Sequence, residues 1–299
     1  MVIAHHPCYA HPLPANHRFP MEKYDLLHGQ LHLEGFDQDA EWPVLEPMTT
    51  SIIQLCHTAE YWEMLRQGSW SRAAERRSGF TWSPALVERE SIIMSGTLTC
   101  ALEALQGGVG LNIAGGTHHA FADRAEGFCL LNDFAIAARH LLCAQGASRI
   151  LIVDLDVHQG NGTASVTSDD GDIVTFSMHG ASNYPFHKEE STLDVALPDG
   201  TDDHTYLDLL RQHLPTLLDR CQPDVVFYQC GVDVLETDKL GKLSLTMEGC
   251  TERDRFVLES CRSRDIGVAC AMGGGYSPDV GLIVEAHMQT FRIARELWS

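Results

Sequence analysis

The chain has 299 residues, of which 44% are hydrophobic, and a formal net charge of −20. So acidic a chain lacks the basic surface needed to bind phosphates, which excludes nucleic acid as an expected partner and admits cationic ligands such as lysine-containing peptides or polyamines. The negative charge could equally serve only to keep the protein molecules apart in solution, with no role in ligand binding. No segment approaches the length of a membrane span, and the N-terminus has too few apolar residues for a signal peptide.

The ten cysteines include no CxxC pair, and most lie among apolar residues. This pattern predicts buried thiols in a reducing compartment, so we expect a soluble, cytoplasmic protein without a zinc site built from cysteine. No linker, repeat or low-complexity segment interrupts the sequence, which predicts a single domain over residues 1–299.

The first hundred residues show mainly helical patterns, most clearly at 51–68 and 91–108. From residue 105 onward, apolar runs rich in β-branched residues alternate with amphipathic segments. The predicted strands are 109–114, 150–157, 172–178, 224–230 and 266–272. The predicted helices are 133–146, begun by an aspartate cap, 205–221, which Pro215 should kink or split, and 252–264. Such alternation predicts an α/β fold with a parallel sheet covered on both faces.

Polar residues follow each of these strands at its carboxyl end. Ligands of open parallel sheets bind beyond that edge, so five strands direct their polar residues to one place. The residues concerned are His118, His119, Asp154, Asp156, His158, His179, Asp233 and Tyr276. Taken singly, a histidine pair, a glycine-rich turn or a buried Cys129 is common in protein interiors. Their joint position at strand ends favours an active site.

The stretch LIVDLDVHQGNG, from 151 to 162, places three ionisable residues at the end of a buried strand. Side chains alternate along a strand, so Asp154, Asp156 and His158 should share one face. Buried charges cost several kcal/mol each unless they are paired or bind a metal, and a divalent cation would neutralise the carboxylates. The alternative is a buried hydrogen-bond network. Asp233 could also supply one carboxylate and free Asp154 for a supporting role.

Four sequence blocks resemble the signature motifs of the zinc-dependent histone deacetylase superfamily. They are GGTHHAFADRAEGFCLLND, VDLDVHQGNGTA, CGVDVLETDKLG and MGGGY. The HQGNG form, with HPLPANHRFPMEKY and FTWSPALVER nearer the N-terminus, is most similar to the class IV branch and its bacterial relatives. The resemblance covers essentially the whole chain. It implies the three-layer α/β/α arginase-deacetylase fold, with a central parallel sheet, and the hydrolysis of acylated lysine to lysine and a carboxylate.

The resemblance also implies roles for individual residues, carried over motif by motif. The zinc ligands would be Asp156, His158 and Asp233, with Fe²⁺ as an alternative to Zn²⁺. A structural K⁺ site would use Asp154, Ser177 and the backbone around Met178. The catalytic residues would be His118, His119, Tyr276, Asp154 and Asn161. The substrate tunnel would be lined by Gly127, Phe128, Gly274 and either Tyr184 or Phe186.

In the implied mechanism, His119 accepts the proton of the attacking water and later protonates the leaving amine, while the Tyr276 hydroxyl helps to hold the oxyanion. His118 stays an electrostatic partner whose basicity Asp154 raises. The partner of His119 is Asn161, which orients the ring without adding charge, so His119 should be the less basic histidine. Arg18 is predicted to line an internal channel through which the carboxylate product leaves.

Other functions are compatible with parts of this pattern. A binuclear manganese ureohydrolase of the same fold would need a DxHxD run, which the sequence lacks. An acetylpolyamine amidohydrolase would suit the acidic composition equally well, but such enzymes narrow their entrance by dimerisation and an inserted loop, for which 299 residues leave little room. A non-catalytic acyl-lysine binding module would require loss of the tyrosine or of a ligand, and all are present. Acyl chain length, physiological substrate and oligomeric state are left open.

Overall fold

The structure, a computed structural model, describes residues 1–299. Its strands are β1 (Val2–Ala4), β2 (Val109–Asn112), β3 (Ile150–Asp154), β4 (Ile173–Gly180), β5 (Leu193–Leu197), β6 (Val225–Gln229) and β7 (Gly267–Ala271). Its α-helices are α1 (Lys23–Leu33), α2 (Thr50–Ile53), α3 (Ala59–Gln67), α4 (Arg72–Ser78), α5 (Pro84–Leu105), α6 (Asp133–Ala144), α7 (Asn161–Thr167), α8 (Asp203–Cys221), α9 (Met247–Arg262) and α10 (Val280–Trp298).

The seven strands form one sheet in the order β1-β2-β7-β6-β3-β4-β5, and every neighbouring pair is parallel. The carboxyl ends of all strands therefore lie along one edge of the sheet. The strands β3, β6 and β7 at its centre are buried over their whole length, which explains their continuous apolar sequences. Helix α5 packs on β1, β2 and β7, α8 packs on β3, and α9 packs on β7.

All five predicted strands are present, but the prediction missed the two edge strands. Strand β1 is apolar and buried but has only three residues, and most of β5 is partly exposed, so neither shows the long apolar run that marks the central strands. Strand β3 ends at Asp154, three residues earlier than predicted. The residues from 155 to 158 consequently lie in a loop, which carries the site.

Three predictions about helices were wrong in detail. Pro215 does not split helix α8, which continues through it, because Leu210, Leu214 and Leu218 on both sides of the proline are buried in the core. The 51–68 segment forms two helices, since the Thr58 side chain caps α3 by accepting from the Tyr61 amide. Helix α6 is capped by Asn132 and not by the aspartate that follows it.

One continuous hydrophobic cluster of 82 buried residues surrounds the sheet. Eight of the ten cysteines are buried and all ten are free, as the sequence pattern predicted. None of the helices combines the length and the apolar character needed to cross a membrane.

Candidate active site

Five neighbouring strands, β2, β7, β6, β3 and β4, supply the polar residues predicted at the sheet edge. The loops after the first four of them carry the histidine pair, Tyr276, Asp233, and the Asp156–His158 segment, while His179 lies within β4. Because these strands are adjacent, residues separated by more than 150 positions in sequence meet in one place. The strand order thus explains why the scattered motifs form a single site.

Asp156, His158 and Asp233 form a buried group whose ligand atoms all lie within 4.8 Å of one another. Nδ1 of His158 is 3.0 Å from an Asp156 oxygen and 3.1 Å from an Asp233 oxygen. Asp154 is not part of this group and contacts His118 instead. Of the two arrangements that the sequence left open, the structure therefore has the one in which Asp233 supplies the second carboxylate.

Backbone contacts fix this group in place. The Val157 amide donates to Asp233 at 2.9 Å, and the Gly274 amide donates to Asp156 at 2.9 Å. A Cβ atom on Gly274 would lie only 2.0 Å from an Asp233 oxygen, and one on Gly231 would lie 2.2 Å from an Asp156 oxygen. Glycine is required at both positions because backbone and carboxylates approach so closely.

The donor set fits a divalent metal. Burial and the neighbouring Asp156 charge raise the pKa of Asp233 to about 7. Two buried carboxylates this close are unfavourable without a cation, and a divalent ion would neutralise both. One imidazole nitrogen and two carboxylates leave a coordination position open for a water or a substrate, as catalytic sites of this kind require.

His118 lies beside the group and is paired with Asp154. Its Nδ1 donates to the Asp154 carboxylate at 2.7 Å. Burial alone would lower the pKa of His118, but Asp154 and Asp156 outweigh it and raise the pKa to about 9. In the metal-free protein this favours the protonated, positively charged form of His118 at neutral pH.

His119 has the opposite character. Its Nδ1 lies 2.6 Å from Oδ1 of Asn161, a neutral partner. Burial, followed by the charges of His118 and His158, holds the pKa of His119 well below its usual value. The sequence prediction that His119 is the less basic of the pair agrees with this arrangement, and its ring is neutral and able to accept a proton.

Asn161 is itself hydrogen-bonded to a carboxylate. Nδ2 of Asn161 donates to Glu126 at 3.1 Å, and the Tyr184 hydroxyl donates to the same Glu126 oxygen. The ring of Tyr184 in turn packs edge-on against His119, with the ring centroids 5.0 Å apart. Glu126 thus links Asn161, the partner of His119, to Tyr184 in the tunnel wall.

Tyr276 follows the glycine-rich loop and points toward the same group, its ring centroid lying 6.3 Å from that of His158. Burial and the charges of Asp233 and Asp156 raise the pKa of its hydroxyl well above 10, so the hydroxyl is a hydrogen-bond donor at every pH of interest. The Tyr276 amide donates to Asp238 at 2.6 Å. Asp238 also accepts from the amides of Leu240 and Gly241, which ties two loops together.

The tunnel walls are built from backbone held in unusual conformations. Gly127 and Phe128 have φ angles of 51° and 65°, and their amides donate to the carbonyl groups of Arg77 and Ser78 at the end of α4. A Cβ atom on Gly127 would lie 2.6 Å from the His119 ring, so a side chain there would displace the histidine.

Two cavities meet at the buried group. The outer cavity, of about 390 Å³, contains Phe128, Tyr184 and Phe186 in its lining, whereas the inner cavity, of about 40 Å³, contains Gly274 and Arg89. His119, His158, Gly127, Phe128 and Tyr276 line both. Tyr184 is the wall residue next to His119, while Phe186 is 86% exposed and lies at the rim. Gly274 lies at the bottom of the tunnel and not on its wall.

Comparison with known proteins decides the family. Residues 17–291 match the histone deacetylase domain. The chain belongs to the histone deacetylase family. An uncharacterized protein from a Picosynechococcus species is 44% identical over 99% of both chains. Histone deacetylase 2 of Arabidopsis thaliana is 29% identical over 87% of this chain and 70% of its own, and the acetoin utilization protein AcuC of Staphylococcus aureus is 32% identical over 61% and 50%.

Solved structures agree with this assignment to the histone deacetylase family. A histone deacetylase homologue crystallised with SAHA has a TM-score of 0.83 and 25% identity, covering 99% of this chain and 83% of its own. A homologue from Aquifex aeolicus has a TM-score of 0.82 at the same identity and coverage. The predicted arginase-deacetylase fold is confirmed. Family membership supports a deacetylase-type hydrolase, and the buried Asp-His-Asp group could hold the metal on which such enzymes generally depend.

The prediction for Arg18 was wrong. Arg18 is exposed and lines the outer cavity, because the neighbouring Phe19 faces inward and His17 is held by a hydrogen bond to the Gly79 carbonyl. The cation beside the inner cavity is Arg89, whose Nε donates to the Tyr9 carbonyl at 2.7 Å.

Two of the residues predicted for a potassium site lie next to each other. Asp154 and Ser177 are register partners on β3 and β4, and both line a small cavity of about 10 Å³. Met178 does not line it, and the Ser177 hydroxyl also lies 3.0 Å from His179. A K⁺ ion at this place stays a prediction.

Sequence reasoning missed four residues of this site. Glu126, Asp238, Lys23 and Arg89 carry no strand-end signal, and only the folded chain brings them to the site. Lys23 is 1% exposed, donates to the Gly273 carbonyl at 2.7 Å and lies 6.0 Å from the centre of the Tyr276 ring. Burial lowers the pKa of Lys23 to about 8, although Asp233 and Asp156 act in the opposite direction. A fully buried lysine near two carboxylates thus supports the glycine-rich loop.

Proposed function

We propose that the protein is a zinc-dependent hydrolase that removes acetyl groups from the side-chain amine of lysine in proteins or peptides. The observation that carries this proposal is the convergence of a neutral His119, a hydroxyl donor at Tyr276 and the Asp156–His158–Asp233 group at the bottom of one aromatic tunnel. Each of these parts has a separate task in amide hydrolysis. Because they lie in one place, all three can act on the same bound substrate.

Asp156, His158 and Asp233 would hold the metal. When bound, zinc would supply Lewis acidity, which polarises the acyl carbonyl and makes a water molecule more acidic. Fe²⁺ is compatible with the same nitrogen and oxygen donors, whereas a purely oxygen-preferring cation such as Ca²⁺ is less suited to the imidazole.

His119 acts as the general base and later as the general acid. Because its Nδ1 donates to Asn161, the free lone pair is on Nε2. Nε2 can accept the proton of the attacking water and then deliver it to the lysine amine as the amide bond breaks. His118 keeps its proton and, held by Asp154, contributes positive charge beside the developing oxyanion.

Tyr276 stabilises the tetrahedral oxyanion. Its hydroxyl remains protonated at neutral pH, so it can donate a hydrogen bond to the acyl oxygen as negative charge develops there. The Tyr276 backbone is held by Asp238, which fixes the donor before the substrate arrives. A donor that needs no reorganisation contributes more to the rate than a flexible one.

The tunnel suits the aliphatic part of a lysine side chain. The rings of Phe128 and Tyr184 line the outer cavity, and the methylene groups of lysine pack well on aromatic surfaces. The inner cavity, of about 40 Å³, has room for only about three or four water molecules at roughly 10–15 Å³ each. This small volume favours acetyl over long fatty acyl groups.

Hydrolysis of acetyl-lysine peptides, measured beside hydrolysis of N-acetylated polyamines on protein of known metal content, tests the proposal. We expect release of acetate and free lysine from the peptides, with acetyl cleaved faster than longer acyl groups. Faster cleavage of the polyamines would assign the protein to acetylpolyamine hydrolysis. Tight binding of an acyl-lysine peptide without any cleavage would instead indicate a binding module.

A further inference from the structure

The mouth of the tunnel is basic, although the protein as a whole is strongly acidic. The chain has 41 Asp and Glu residues against 21 Lys and Arg. Yet the 16 residues lining the outer cavity include Arg18, Arg76, Arg77 and Lys242, and they include no aspartate or glutamate. This concentration of positive charge at one opening, in a molecule with a charge of −20, needs a physical explanation.

The arginines of the mouth have no anionic partner in the protein. Arg18, Arg76 and Arg77 are exposed, and none of them has a carboxylate oxygen within 4.0 Å. Lys242 donates to the Ser182 hydroxyl at 2.8 Å, and its nearest carboxylate, Asp199, is 3.9 Å away. Their charge is therefore directed toward solvent and toward whatever enters the cavity.

The arginines are fixed to the tunnel itself. The Arg77 carbonyl accepts a hydrogen bond of 3.1 Å from the Gly127 amide, so the end of α4 is attached to the tunnel wall. The His17 ring, next to Arg18, donates to the Gly79 carbonyl at 2.8 Å. Because both attachments hold the backbone beside the tunnel, the segments that carry these arginines border the opening in the resting protein.

We propose that this basic mouth selects acyl-lysine residues that lie in acidic peptide segments. The inference rests on the proposed function and names the substrate class of the same site. A lysine inserted into the tunnel leaves its neighbouring residues at the mouth, where aspartate or glutamate would meet unpaired guanidinium groups. Arg is well suited to this role because its planar group binds a carboxylate with two hydrogen bonds.

The same charges disfavour cationic substrates. A polyamine with one acetylated end in the tunnel would place its free ammonium groups among the arginines, and like charges in this position are repulsive. A lysine flanked by basic residues meets the same repulsion. The overall acidic charge attracts polyamines from a distance, but the local charge at the opening opposes their productive binding.

A peptide fits these observations better than a long polyanion does. The cations border only the tunnel opening, within reach of the residues next to the reacting lysine. Nucleic acid would extend beyond this mouth onto the rest of the surface. That surface would repel the phosphates, since the remaining charge of the chain is strongly negative. A short acidic segment matches both the position and the extent of the patch.

Three acetyl-lysine peptides test the inference, with the two residues on each side of the lysine being acidic, neutral or basic. We expect kcat/KM for the acidic peptide to exceed that for the basic one by roughly tenfold or more at low salt, mainly through KM, and the ratio to shrink as ionic strength rises. The double variant Arg76→Glu with Arg77→Glu should reverse the order. Arg72→Glu is the matched control, because Arg72 lies on the same helix but does not line the cavity.

The possible failures are distinguishable. Equal kcat/KM for the three peptides, or an unchanged order in the double variant, would overturn the inference and leave the proposed function standing. No hydrolysis of any peptide by metal-loaded protein would overturn the proposed function, and peptide binding measured by fluorescence anisotropy would then report on the mouth separately. Binding of duplex DNA that is lost in the double variant, without a preference for the acidic peptide, would assign the patch to nucleic acid and contradict the inference.

Discussion

Asn161 donates a hydrogen bond to Glu126 while its other amide atom accepts one from His119. A carboxylate can only accept, so Glu126 fixes which end of the Asn161 amide faces the histidine. With Oδ1 toward His119, the ring must carry its proton on Nδ1, and Nε2 is free. The orientation of the proposed base thus depends on a residue that never touches the substrate.

Glu126→Gln should therefore lower kcat by roughly tenfold or more, since removal of an orienting partner commonly has an effect of this size. Glutamine can donate as well as accept, so the Asn161 amide would be free to turn. We also expect the pH profile of kcat to change, which a purely structural role would not cause. Tyr184→Phe is the control: it removes the other hydrogen bond to Glu126 and should raise KM while leaving the pH profile of kcat intact. An identical profile in both variants would argue against the orienting role.

Tyr276→Phe should lose about 2.7–4 kcal/mol of transition-state stabilisation, or roughly 10²–10³ in kcat, because it deletes a single oxyanion donor. The aromatic ring and the backbone bond to Asp238 are kept, so metal content and folding should not change. Steady-state kinetics together with metal analysis check this. Full activity in the variant would remove Tyr276 from the mechanism.

Asp233→Ala should abolish metal binding as well as activity, because it removes one of only three protein ligands in the buried group. Asp238→Asn provides the comparison. It changes a nearby carboxylate that contacts loop amides and not the group itself, so metal should stay bound while activity falls. Metal stoichiometry after dialysis measures both. Full metal occupancy in the Asp233 variant would show that the ligands are assigned incorrectly.

The His118–Asp154 pair makes folding stability depend on pH. The pKa of His118 is raised from 6.5 to about 9 in the folded protein, so its stabilising contribution is fully present below pH 6.5 and is lost as the pH rises to 9. The loss would be up to about 3 kcal/mol, from 1.36 kcal/mol per pKa unit. Urea unfolding of the metal-free protein between pH 6 and 9.5 measures it. Asp154→Asn should make this dependence shallower without abolishing it, because burial of His158 is outweighed by Asp156 and Asp233, which raise its pKa to about 10 in both proteins. Equal slopes in the two proteins would refute the pairing.

The sequence was sufficient for the central part of the fold because buried parallel strands have a distinctive composition. The runs that became β3, β6 and β7 are apolar throughout, and each is followed by polar residues. The edge strands β1 and β5 lack that signal, since their short or partly exposed sequences resemble loops. The sequence could not show that α8 continues through Pro215, because the tertiary packing that holds the helix together is not a local signal.

The candidate site likewise contains residues that could be predicted from the sequence and residues that could not. Residues at strand ends could be predicted to meet, because parallel strands share one edge. Glu126, Asp238 and Lys23 could not, because they reach the site through contacts with residues 35, 38 and 250 positions away. Likewise, Arg18 and Arg89 have the same charge, and only the direction of the backbone places one at the outer mouth and the other beside the inner cavity.

The proposed chemistry depends on a bound metal acting with the protein's own base and oxyanion donor on an acylated lysine. Acetate release from an acetyl-lysine peptide should therefore be followed on the purified protein, after removal of metal by a chelator, and again after addition of one equivalent of Zn²⁺ per chain. We predict turnover in the loaded protein, its loss on chelation and its recovery with zinc. Turnover that persists in protein shown to be free of metal, or no turnover with one zinc bound per chain, would contradict the proposed function.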